Sequence, residues 1–157
     1  MENAIKVRVG TPDDFPALMD LLFCMHKENG LGPMDSDRVA DYARRGLARD
    51  RSIVGIAEDE GKLAGSVSLF VSRWWYAPEH VSHLEDLWNY VHPDFRRRPV
   101  ARPLIEFAKT AANSLKMPLL MGVLSGERTA AKLRLYERQL PQLGGLFYYD
   151  PDTKGAV

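Results

Sequence analysis

Four arginines fall within seven residues, Arg96-Arg97-Arg98-Pro99-Val100-Ala101-Arg102. Val81 to Val91 before them reads as a strand, His92-Pro93-Asp94 breaks it, and helical spacing begins at about Ala101. A helix N-terminus presents unpaired N–H groups and partial positive charge, which suits a phosphate. Guanidinium groups add charge-assisted donors. The charge by itself favours a solvated basic turn; the strand-turn-helix setting reverses that and points to an anion site. Two carboxylates, Glu85 and Asp86, lie on the strand and point to opposite faces. Each is either a proton acceptor or a surface group. His80-x-x-His83 spans three residues of strand, so the two rings face opposite sides. No cysteine completes a ligand set there, and no metal site is expected. Trp74, Trp75, Tyr76 and Trp88 could line an acceptor pocket or pack as core and interface aromatics.

The elements around these residues follow from periodicity and turn chemistry. Ile5 to Val9 alternates as a strand. Thr11 caps a helix with Pro12 in its first position and two acids behind it. Phe15, Leu18, Met19, Leu22 and Met25 mark that helix, and Asn29-Gly30 ends it. A second helix runs from Asp35 or Ser36 to about Ala48, with Val39, Tyr42 and Leu47 as its apolar side. Ser52 to Ala57 and Leu63 to Val71 form a hairpin about Gly61. After the arginine turn comes a helix over 101–116, with Leu104, Ala108, Ala111 and Leu115 on one face. Leu119 to Leu124 is a short buried strand, Gly126 to Leu140 a helix, and Leu146 to Tyr149 a final strand. Hairpins in the middle and a βαβ unit at the end predict an α/β fold with a mixed sheet and helices on its faces.

Composition excludes several classes. The chain has 157 residues, of which 45% are hydrophobic and 27% charged, as in an ordinary globular domain. Lys+Arg and Asp+Glu are both 21, so no global field draws the chain to nucleic acid or a membrane. The single cysteine, Cys24, allows no intramolecular disulfide and reads as a small buried hydrophobe. The N-terminus has no basic head followed by an apolar core, and the run from Pro118 to Leu124 is too short to span a bilayer. A single domain over 1–157 and a cytoplasmic location are expected.

Tyr90-Val91-His92-Pro93-Asp94-Phe95-Arg96-Arg97-Arg98-Pro99-Val100-Ala101 resembles the acetyl-coenzyme A motif of the GNAT acetyltransferase superfamily. That motif is a strand ending in Val-x-Pro, an aromatic and an arginine, then [Arg/Gln]-x-x-Gly-x-[Gly/Ala]. Arg96 takes the Arg/Gln position, Ala101 the final small position, and Pro99 stands where the first glycine belongs. The opening Val7 to Asp14 junction, the order of elements and Tyr136 on the late helix are also similar to the family's. Thr129 occupies its usual asparagine position.

The resemblance implies the GNAT fold, a central mixed and mostly antiparallel sheet flanked by helices, and an N-acetyltransferase that uses acetyl-CoA as cosubstrate. It implies that the pantetheine arm pairs with the strand backbone at Tyr90 and Val91. The pyrophosphate would meet N–H groups across Arg97 to Arg102, helped by the arginine side chains. Pro99 removes one such donor. Glu85 matches the glutamate of a GNAT subset and is the candidate base through a water relay, with His83 as an alternative. Tyr136 is the candidate proton donor to the leaving thiolate. The acceptor would be a small-molecule or peptide amine, and a homodimer is among the assemblies implied. Pro99 also motivates a second reading, a GNAT-fold binding or regulatory module without catalysis. A phosphate- or nucleic-acid-binding domain is a third, opposed by the zero net charge.

Overall fold

The computed structural model describes residues 4–126 and 128–152, and the chain divides into two compact units, 1–122 and 123–157. The first unit is built on five strands: β1 Lys6–Val9, β2 Ser52–Asp59, β3 Lys62–Ser72, β4 His83–Val91 and β5 Leu119–Leu120. They lie side by side in chain order. Neighbours from β1 to β4 are antiparallel, and β5 joins β4 in parallel after a crossover through helix α3, Ala101–Leu115. The β2–β3 hairpin closes on Glu60 and Gly61, both with positive φ (50° and 76°). That is the primed turn whose twist matches its strands.

Helices α1, Phe15–Asn29, and α2, Ser36–Leu47, cover one sheet face. Their core joins Leu18, Leu22, Ala43 and Leu47 to Val54, Ile56, Trp88 and Tyr90 of the sheet. α3 covers the other face, where Leu104 and Ala108 meet Val67, Leu69 and Leu84. A two-faced sheet with one helical layer on each side is the architecture the periodicities predict.

Details differ. The buried side of α2 is Ala40, Ala43, Gly46 and Leu47, while Tyr42 is exposed under the Arg38 guanidinium. The reason is close approach: a Cβ on Gly46 would stand 2.5 Å from a Val54 methyl. Only small residues fit that seam. α3 likewise buries Ile105 and Ala112, while Leu115 is exposed. The strand expected over 119–124 pairs for two residues only, because the Gly122 N–H turns to the Asp86 carboxylate, 2.9 Å, instead of a strand carbonyl.

The second unit contains α4, Thr129–Glu137. Leu146 to Tyr149, expected as a final strand, forms none, and no described residue of that unit is in a strand. Phe147 there is 99% exposed. Among the described residues no helix is long and apolar enough to cross a membrane.

Candidate active site

The register of β4 against β3 organises the site. Leu69 faces Asp86 and Ser68 faces Trp88, so Leu87 is an extra residue, a β-bulge. Before it, His83 and Glu85 share a side and Leu84 turns to the α3 core. After it, Trp88 and Tyr90 enter the α1–α2 core, and Val91 packs on the α3 side. Unbroken alternation would group Glu85 with Leu87, Asn89 and Val91. The bulge groups it with Trp88 and Tyr90 instead. Bulges frequently re-aim side chains next to active sites.

Glu85 is about one-third exposed, and its Oε2 lies 3.4 Å from Nε2 of the buried His83. The geometry at that distance is not a hydrogen bond, and both His83 ring nitrogens lack a hydrogen-bond partner. The Trp74 ring stacks on the imidazole at 4.5 Å. Asp86, on the other side, accepts the Gly122 N–H. Burial raises its pKa to about 6, against the opposing pull of that hydrogen bond. Beyond Glu85↔Leu120 the paired register of β4 with β5 stops. The stretch expected to pair with a pantetheine arm, Tyr90 and Val91, lies past that point.

From Val91 the chain makes a 3-10 turn over Pro93–Phe95 and reaches α3. Its amides are largely consumed locally. Phe95 donates to His92 O, Arg96 to Pro93 O, Arg98 to Phe95 O and Val100 to Arg98 O. Pro99 has no N–H, and neither does Pro103 in the first turn of α3. Of the span Arg97 to Arg102, the open donors are therefore the N–H groups of Arg97, Ala101 and Arg102. The helix start carries no side-chain cap and no acid in its first turn, so its positive end is not neutralised from within the helix. The sequence shows the loss at Pro99; the inward turn of the Arg98 and Val100 amides needs the folded loop.

The four arginines separate into two pairs. Arg96 Nη2 donates to both Glu28 oxygens, 2.6 and 2.7 Å, and lies 3.3 Å from the Tyr90 hydroxyl. Tyr90 itself donates to Glu28 Oε2 at 2.8 Å, and Cys24 Sγ is 3.6 Å from that hydroxyl. Burial raises the Tyr90 pKa, and Cys24 and Glu28 add to the rise. Burial opposes the charge on Arg96, and Glu28 overcomes it, so that pKa is also raised. Cys24 is thus half-buried against a hydroxyl rather than enclosed in the core. Arg98 Nη2 binds the buried Asp59 carboxylate at 3.1 Å. Arg97 and Arg102 are exposed and make no ion pair with a described residue. Glu28 and Asp59 lie 68 and 39 residues from their arginines, so no local pattern in the sequence marks them as partners.

The structure brings Tyr90 together with Arg96 and Glu85 with His83, but not the two groups with each other. Five residues of β3 separate the partners of Glu85 and Val91, Phe70 and Gly65. That is about 17 Å of strand. His80 lies outside β4, and no three metal-ligating side chains converge among the described residues. In the second unit, Tyr136 sits half-buried in the last turn of α4 and its carbonyl accepts the amides of Gln139 and Leu140. Thr129 Oγ1 donates to Ser125 O at 2.9 Å, holding the start of α4.

Residues 50–139 match the acetyltransferase (GNAT) domain family, over half of the chain. No curated protein matches. Among solved structures, AAC(6')-Iy in complex with the bisubstrate analog CoA-S-monomethyl-acetylneamine superposes with a TM-score of 0.71 at 16% identity, covering 94% of this chain and 98% of that one. A ribosomal-protein-alanine N-acetyltransferase from Brucella melitensis biovar Abortus 2308 gives 0.69 at 19% identity, over 94% and 99%. A predicted acetyltransferase with acetyl-CoA from Clostridium acetobutylicum gives 0.72 at 14% identity, over 94% and 96%.

Proposed function

The chain belongs to the GNAT acetyltransferase family, and from that membership we propose that it transfers an acetyl group from acetyl-CoA to an amine. The observation that carries this reading is the uncapped start of α3 after the turn that follows β4, where the Arg97, Ala101 and Arg102 amides stay open and the Arg97 and Arg102 guanidinium groups make no ion pair with a described residue. Three open N–H donors and two cations along one short turn fit a diphosphate. The acetyl-bearing arm would then run along β4 at Tyr90 and Val91, toward the part of the strand where β5 pairing has ended. Arg96 and Arg98 support the turn from behind through Glu28 and Asp59. Val100, fully buried, and Pro99 fix the backbone between the open amides.

In this reading acetyl-CoA supplies an activated thioester. The amine nitrogen forms the new bond to the carbonyl carbon, and the carbon–sulfur bond breaks. Glu85, with His83 beside it, takes the ammonium proton through water. Tyr136, by its match to the family, gives a proton to the leaving thiolate. The whole chain, residues 1–157, acts as one acetyltransferase domain. Acceptors are small-molecule or peptide amines, the kinds named for the similar aminoglycoside and ribosomal-protein enzymes. A reducing, cytoplasmic setting suits the single Cys24, and a homodimer fits the family resemblance.

Calorimetry with acetyl-CoA tests the reading. Binding should weaken at least tenfold in Arg97→Ala/Arg102→Ala, since each charged hydrogen bond contributes about 1.5–3 kcal/mol. No heat at millimolar acetyl-CoA would sink it. A second reading, a GNAT-fold binding or regulatory module without catalysis, is favoured by the two prolines and by the carboxylates that occupy Arg96 and Arg98. It predicts that Pro99→Gly tightens acetyl-CoA binding. Unchanged or weaker binding in that variant counts against it.

A further inference from the structure

A polar cavity of about 410 Å³ opens at the end of the sheet opposite the arginine turn. Its wall is Arg51, Val71, Ser72, Arg73, Glu79 and Ser82. Ser72 pairs with His83, the first residue of β4, and Ser82 precedes it. The turn at Val91 lies eight residues further along, about 27 Å of strand. An anion at one end therefore does not occupy the other.

Arg51, Arg73 and Glu79 are the charged groups of the wall, and none makes an ion pair with a described residue. Two guanidinium groups against one carboxylate leave a net charge of plus one facing the cavity. Ser72 and Ser82 add hydroxyl donors. Arg51 also holds φ at 52°, a backbone conformation that glycine and asparagine adopt more readily. Its carbonyl accepts the Val71 N–H at 3.1 Å, so the residue is fixed beside the strand that supplies Val71 and Ser72 to the same cavity. Strain of this kind at a side chain lining a cavity points toward function rather than away from it. Here the conformation favours glycine, and the residue present is the one that supplies a forked cationic donor.

We propose that this cavity is a second anion site, distinct from the arginine turn, which binds a small oxyanion (a carboxylate or a phosphate group) between Arg51 and Arg73, with the Ser72 and Ser82 hydroxyls completing its shell. Glu79 disfavours multiply charged anions and suits a ligand that carries a cationic group next to its anionic one. The site stands on its own geometry and does not depend on the acetyl-transfer reading.

The test is amide NMR of the full chain at low ionic strength, titrated separately with acetate and with inorganic phosphate. Saturable shifts are expected at Ser72, Arg73 and Ser82, and the probe that binds more tightly names the source. Arg51→Gly removes the donor while relieving the backbone, so affinity should fall at least tenfold with an unchanged or raised Tm. Arg73→Gln should weaken binding similarly without touching that backbone. Saturating acetyl-CoA should leave the shifts in place. The proposal is overturned if neither probe moves these amides, if both variants bind as the parent chain does, or if acetyl-CoA displaces the probe.

Discussion

At Arg96 the guanidinium is spoken for by Glu28 and Tyr90, three groups from three parts of the chain meeting at the end of β4. Removing Glu28 leaves a half-buried cation and a buried phenol without their acceptor. Glu28→Ala should therefore lower stability by about 2–3 kcal/mol, with Glu28→Gln intermediate, since it keeps an acceptor for Tyr90. Urea unfolding measures both. Asp86 behaves in the opposite sense. Its folded pKa, raised to about 6 by burial, exceeds the value of 3.8 for a free aspartate. Between those two values the unfolded chain has lost the proton that the folded chain retains. Stability should thus fall as pH rises from 4 to 6, by on the order of 2–3 kcal/mol from this group, and stay level above. Asp86→Asn keeps a carbonyl for the Gly122 N–H and loses the charge. It should flatten that slope and stabilise the chain at pH 7.5, as urea midpoints across the pH range would register. A variant less stable than the parent at pH 7.5 would contradict the assignment of burial as the cause. Asp14, whose pKa the Arg8 guanidinium lowers, adds stability above 3.8 that is lost on acidification, and so works against the Asp86 slope only at the acid end.

At the scale of elements, the helix α2 seam is the sharpest case of packing overriding propensity. Gly46→Ala raises intrinsic helix propensity by about 1 kcal/mol. The added methyl meets Val54 at 2.5 Å, and its Ser52 contact is 3.2 Å. Overpacking of this kind costs about 1–3 kcal/mol, so the net effect should be a lower Tm despite the better helix former. Thermal unfolding decides it, and a higher Tm would show that the helix can shift outward. The same seam explains what the sequence conveys and what it hides. Helix positions, the hairpin turn at Gly61 and the crossover after the arginines were legible from period, caps and turn residues, because those are local. On α2, Leu47 and Val39 were legible as core-facing, but Ala40, Ala43 and Gly46 were not, because small residues read as a weak apolar stripe and become core only when a strand lies against them. The bulge at Leu87 was hidden for a related reason: it is defined by its partner strand, and His83-Leu84-Glu85-Asp86-Leu87-Trp88 alternates acceptably in either phase. In the site, the arginine cluster and the prolines were visible as types. Which arginines face outward depended on Glu28 and Asp59, distant carboxylates that only the fold brings near.

Across the whole molecule, burial is uneven. The two cores lie within residues 18–112, and no described residue from 123 onward is buried. Amide hydrogen exchange should follow: β2, β3 and the first half of β4 should exchange only through global opening, whereas amides over 141–150 should exchange within the first seconds. Slow exchange in that last stretch would mean an ordering partner in solution. The bulge has its own bearing on the whole chain's tolerance of change. Leu87 acts as a phase marker: positions of odd number line the α1–α2 face before it, and positions of even number do so after it. A polar substitution scan along β4 would therefore show its pattern of tolerated sites invert at residue 87. Deletion of Leu87 would close the bulge and leave Trp88 and Tyr90 on the same layer, whereas drawing Leu87 into the regular ladder would turn both to the wrong one. The hydroxyl that anchors Glu28 and Arg96 is thus held in place by a counting rule as much as by its own bonds.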